Sequence, residues 1–155
     1  MKKALIAFVA AFALTVGLMF LSAATRVALS NYALSSIGFQ ITNTLISIFL
    51  GLVGLAVFFA VFYFLAKRIK ITADKSTTVA VLFGVLLGSV TLYLLSIVTY
   101  PQAYLALYLS IIASSLLSSV FQYFLPALTA LLFAELREKK SNHNFTEETN
   151  VQIST

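Results

Sequence analysis

Residues Thr44–Ala66 read TLISIFLGLVGLAVFFAVFYFLA, and the next four, Lys67–Lys70, read KRIK. As a helix rising about 1.5 Å per residue, this uncharged stretch is long enough to cross a bilayer core roughly 30 Å thick. The abrupt change to three cations in four residues marks where such a helix leaves the lipid. The same test finds three more spans. Ala4–Ala24 lies between Lys2-Lys3 and Arg26. Thr78–Tyr100 ends at Tyr100-Pro101-Gln102, where proline turns the chain. Ala103–Ala134 stops before Glu135 and Arg137. The last run is some 45 Å long as a helix, so it tilts, protrudes or bends, and Pro126 is the expected bending point.

Composition agrees with that reading. Of 155 residues, 61% are hydrophobic and 10% charged, and the mean hydropathy is +1.01; a soluble domain carries about a quarter charged residues. These values exclude a soluble globular protein, a disordered chain and a nucleic-acid binder. The expected fold class is an all-α integral membrane protein. It is a four-helix transmembrane bundle with helices at about 4–24, 44–66, 78–100 and 103–134, forming one domain over residues 1–140. The tail 141–155 is polar, lacks periodicity and is expected to be disordered.

Lys and Arg accumulate on the cytoplasmic side of short loops. Lys2 and Lys3 precede helix 1. Lys67, Arg68, Lys70 and Lys75 lie between helices 2 and 3, and Arg137, Lys139 and Lys140 follow helix 4; the opposite side holds only Arg26. Both termini are therefore expected in the cytoplasm, with the plasma membrane as the expected location. Asn144-Phe145-Thr146 is formally a glycosylation acceptor, but on this topology it faces inward and carries no glycan. Lys2-Lys3, an apolar run and Ser22-Ala23-Ala24 also have the parts of a signal peptide. The run exceeds the usual 7 to 15 residues of such a peptide, which favours retention as a span. Residues 25–43 mix Val27, Leu29, Tyr32, Leu34, Ile37, Phe39 and Ile41 with Ser, Asn, Gly and Gln. They read as a loop on the outer surface with a short interfacial helix; a lid over a site is the sharper alternative.

Helices in lipid gain little from apolar contact, so small and polar residues mark their buried faces. Ala80, Gly84 and Gly88 form a small-residue ladder on helix 3 that contains a GxxxG motif, with Thr91 on the same face. Asn43, Ser47, Gly51 and Gly54 share a face of helix 2. Helix 4 carries Ser110, Ser114, Ser115, Ser118, Ser119 and Gln122 over one half of its circumference. Two readings of these polar groups stand: interhelical hydrogen bonds that permit tight packing, or the lining of a polar cavity. Gln122, beside the carbonyl freed by Pro126, is the best single candidate for a polar centre. Phe58, Phe59, Phe62, Tyr63 and Phe64 crowd the inner half of helix 2, as an aromatic plug or an interfacial belt would. Tyr100, Tyr104 and Tyr108 read as outer interfacial anchors.

The chemistry is mostly exclusion. There is no cysteine, one histidine (His143) and five acids, so thiolate chemistry, iron–sulfur clusters and a His-based metal site lack ligands. No cofactor is expected. The four spans hold no Asp, Glu, Lys, Arg or His, whereas pumps, coupled transporters and intramembrane enzymes place such groups there. The chain is expected to be non-catalytic: an accessory or scaffold subunit whose partners are the bilayer and other membrane proteins or itself, met through the small-residue faces of helices 2 and 3 and the serine face of helix 4. The alternative is a homo-oligomeric channel, holin-like pore or passive carrier with helix 4 lining the path. Lys67, Arg68, Lys70, Arg137, Lys139 and Lys140 form a cytoplasmic basic rim, interrupted by Asp74, Glu135 and Glu138.

Overall fold

The computed structural model describes residues 1–30, 36–99, 113–114 and 116–153. Among these the chain is helical throughout, apart from Met1 and a short linker at 70–74. Helix α1 spans Lys2–Ser30, α2 Ser36–Ile69 and α3 Lys75–Thr99. Residues 116–119 lead into a π-helical turn, Val120–Phe124, which continues as α4, Leu125–Ile153. Three stretches are long and apolar enough to cross a membrane: Lys2–Thr25, Gln40–Ile69 and Leu116–Lys140. A shorter apolar helix, Lys75–Thr91, accompanies them.

Three expectations change. Residues 25–30 and 36–43 are not loop but the ends of α1 and α2; the apolar residues read there as interfacial extend the helices, and no proline interrupts them. Residues 141–153, expected to belong to a disordered tail, continue α4 as helix. No Gly or Pro follows Pro126, so the two strongest helix breakers are absent from this stretch. The distortion in the last span also precedes the proline rather than sitting on it. In the π turn the Leu125 N–H donates to the Val120 carbonyl, five residues back. Such a widened turn lets the chain enter Pro126, which has no N–H to give. The start of that span, with Tyr100, Tyr104, Tyr108, Ser110 and Ser115, lies outside the described residues.

The helices form two pairs. α1 packs along α3, and α2 along α4; α1 also touches α2, and the π turn touches both α2 and α3. The core reflects this arrangement: Ala7 and Ala11 of α1, Val81 and Val85 of α3, Phe58 and Phe62 of α2, and Ala127, Ala130 and Leu131 of α4 are buried. The outer surface is apolar, with Leu5, Val9, Phe20, Leu45, Phe49, Leu52, Phe83 and Leu87 all exposed. A surface of this kind suits lipid and would be an aggregation liability in water.

Candidate functional site

The glycines define the seams. A Cβ added to Gly84 would lie 2.7 Å from the Phe8 carbonyl oxygen and 2.9 Å from the Ala11 Cβ. At Gly88 it would meet the Thr15 Cβ at 2.9 Å and the Phe12 carbonyl oxygen at 3.1 Å. Backbone therefore lies on backbone along α1 and α3, an approach that any side chain would block. Ala80, one turn earlier, is half-buried. The facing residues of α1 are Ala7, Ala11 and Thr15, all fully buried. They too are spaced four apart, a second small-residue ladder legible in the sequence.

The α2–α4 seam is built differently. Gly54 leaves room for an aromatic ring, since its added Cβ would sit 3.0 Å from Tyr123 Cε1. Tyr123 stacks on Phe58 with centroids 5.0 Å apart, and Phe58 on Phe62 at 6.1 Å. Gly51 lies opposite Gln122, whose Nε2 would be 3.6 Å from an added Cβ. The aromatic cluster of α2 thus divides: Phe58 and Phe62 fill the core, whereas Phe59 and Phe64 face outward.

The polar residues of the fourth span also divide. Ser119 is buried, and its hydroxyl is hydrogen-bonded at 2.7 Å to that of Ser89 on α3. Ser89 also lies 2.7 Å from the Val85 carbonyl oxygen, so this polar contact is satisfied inside the bundle. Ser114 and Ser118 are exposed. The boundary between buried and exposed faces therefore cuts across the serine-bearing half of the helix. Ser119, Tyr123, Ala127, Ala130 and Leu131 face the protein, while Ser114, Leu117, Ser118, Phe121 and Leu125 form an exposed stripe at helical spacing. Asn43, Ser47 and Gln122 are half-buried.

All described basic residues apart from Arg26 gather with the linker at one end. Lys70 has φ 53°, the left-handed conformation that ends α2, and Ile71 turns straight into the core. The Lys3 ammonium donates to the Lys70 carbonyl at 2.8 Å, tying the start of α1 to this turn. Glu135 Oε1 accepts the Ala73 N–H at 2.6 Å. Arg137 Nη1 donates to the Tyr63 hydroxyl at 2.9 Å, and the Arg68 guanidinium stands over the Phe64 ring at 5.7 Å. Asp74 caps α3: its carbonyl accepts the Thr78 N–H, and its carboxylate accepts the Thr77 hydroxyl at 2.5 Å. That hydroxyl, helped by backbone N–H groups at Thr77 and Ser76, holds the Asp74 carboxyl below its ordinary value of 3.8. Thus Asp74 and Glu135, which read as interruptions of the basic rim, anchor the linker. Their partners are backbone groups and a hydroxyl, which charge patterning does not reveal.

Between α2 and α4 at this end lies a cleft of about 390 Å³, lined by Tyr63, Ala66, Lys67, Lys70, Ala134, Arg137 and Glu138. Comparison with family models, curated proteins and solved structures finds no match. Among the described residues no group of three or more His, Cys, Asp or Glu is placed to hold a metal ion.

Proposed function

We propose that the chain is a four-span integral membrane protein of the plasma membrane, with both termini and the α2–α3 linker in the cytoplasm, acting as a non-catalytic accessory or scaffold subunit. The observation that carries this reading is the fate of the small-residue faces. Those of α2 and α3, expected to meet partners, are instead filled by helices of the same chain, which leaves the stripe Ser114, Leu117, Ser118, Phe121 and Leu125 at the surface as the face for a partner. Small serines on an otherwise lipid-like face suit close contact with another membrane helix. The absence of Asp, Glu, Lys, Arg and His from residues 4–24, 44–66, 78–100 and 103–134 supports a non-catalytic role. The gathering of the basic residues at one end supports the orientation.

The alternative, a channel or passive carrier, rests on the same stripe turned towards the axis of a homo-oligomer. A path would run between copies, because the Ser89–Ser119 contact and the Phe58–Tyr123 stack occupy the middle of the single chain. Native purification in mild detergent with mass spectrometry separates the readings: stoichiometric larger partners support the subunit, and a pure homo-oligomer supports the pore. Ser114→Phe with Ser118→Phe sharpens the test. A docking face loses its partner while the chain stays folded, whereas a pore loses conductance while still assembling.

A further inference from the structure

We infer that the cleft between α2 and α4 is a binding site for the phosphate headgroup of an anionic lipid. Tyr63, Ala66, Lys67 and Lys70 of α2 face Ala134, Arg137 and Glu138 of α4, and the two alanines are the small floor that leaves the space open. Three cations against one carboxylate give the lining a net positive charge. Arg137 gives one N–H to Tyr63; a guanidinium has five donors in a planar fork suited to phosphate oxygens. Lys70 holds a left-handed conformation at a position where helices usually place glycine. Lys70 itself lines the cleft.

The surroundings favour a lipid over a free anion. The cleft sits where the apolar stretches Gln40–Ile69 and Leu116–Lys140 end. Tyr63 continues the lining into an aromatic patch with Phe59 and Phe133, with centroids at 6.2 and 6.1 Å, and both phenylalanines are exposed. A headgroup in the cleft would rest its glycerol and upper acyl chain on these rings. Basic pockets between membrane helices bind headgroups in this way, beyond the diffuse attraction of a charged rim. The site rests on the chain crossing a bilayer, not on which protein it meets.

The test uses the full chain in neutral detergent. Binding of phosphatidylglycerol, phosphatidylcholine and inorganic phosphate is compared by native mass spectrometry and by titration. Phosphatidylglycerol is expected to bind preferentially. The variant Lys67→Gln, Lys70→Gln, Arg137→Gln is expected to lose about a hundredfold in affinity, at about fivefold per cation. Lys139→Gln with Lys140→Gln, outside the cleft, should lose little. Equal losses in the two variants would reduce the effect to diffuse attraction and overturn the site, as would equal binding of phosphatidylcholine. Inorganic phosphate binding as tightly as the lipid would overturn the lipid assignment. A photoactivatable phosphatidylglycerol headgroup needs no variant: crosslinks on peptides 63–70 and 134–138 of the unmodified chain support the site, and crosslinks elsewhere overturn it.

Discussion

The α1–α3 and α2–α4 seams join helices of similar composition by opposite means. Along α1–α3, Gly84 and Gly88 bring backbone onto backbone. Along α2–α4, Gly51 and Gly54 face the side chains of Gln122 and Tyr123, and stacked rings fill the space. Dispersion is the main attraction available between helices in lipid, and it falls off steeply with distance. A seam can therefore gain it through close approach or through large polarisable rings. The first leaves no slack. The second can adjust, and it contains the π turn and opens into the basic cleft.

The largest expected effect follows from that lack of slack. Gly84→Leu must force the Phe8 carbonyl and Ala11 away, and should destabilise the chain by well over the about 1–3 kcal/mol usual for overpacking. Gly17→Leu, with nothing within 4 Å of its added Cβ, should be near neutral. Unfolding by a denaturing detergent, followed by circular dichroism, compares the two; similar effects would erase the distinction. Phe58→Ala comes next, removing the ring between Tyr123 and Phe62. Its effect should fall at or below the low end of the about 3–5 kcal/mol seen in water-soluble cores, because the unfolded side chain remains in lipid and only the cavity term is lost.

The linker gives a smaller effect with a pH signature. Asp74→Ala removes the α3 cap and should lose about 1 kcal/mol. The folded carboxyl lies below its unfolded value of 3.8, so its stabilisation is complete above that value and disappears as pH falls through the lower folded one. Asp74→Asn keeps a capping oxygen, and should preserve stability at neutral pH while flattening the acid limb of a stability profile between about pH 5 and 3. The smallest expected effect is Ser89→Ala, about 0.6 kcal/mol by the average for hydrogen bonds between membrane helices. A loss several times larger would make the Ser89–Ser119 contact, rather than the glycine seam, the centre of the bundle.

These regions differ in how far the sequence reveals them. The helices of the described chain follow from run length and charge, because lipid imposes both. The glycine ladder of α3 identifies a packing face by the same physics, but one sequence does not say which helix fills it; the matching Ala7, Ala11 and Thr15 spacing on α1 is the available clue. The split among the serines was not legible, since Ser118 and Ser119 are adjacent and chemically identical, and only the helix's rotation against α3 separates them. The roles of Glu135 and Lys3 were hidden for another reason. Both bond to backbone groups of the linker, whose position depends on the left-handed turn at Lys70, and no lysine announces such a turn.

The α3 glycine face is closed by α1 of the same chain. With no native cysteine, Val9→Cys and Phe83→Cys, both at exposed positions, can carry paired spin labels for a distance measurement by pulsed electron resonance. One short, narrow distance distribution is expected, persisting when labelled chains are diluted with a large excess of unlabelled ones. A distribution that fades or broadens on dilution would place the partner helix in another chain and contradict it.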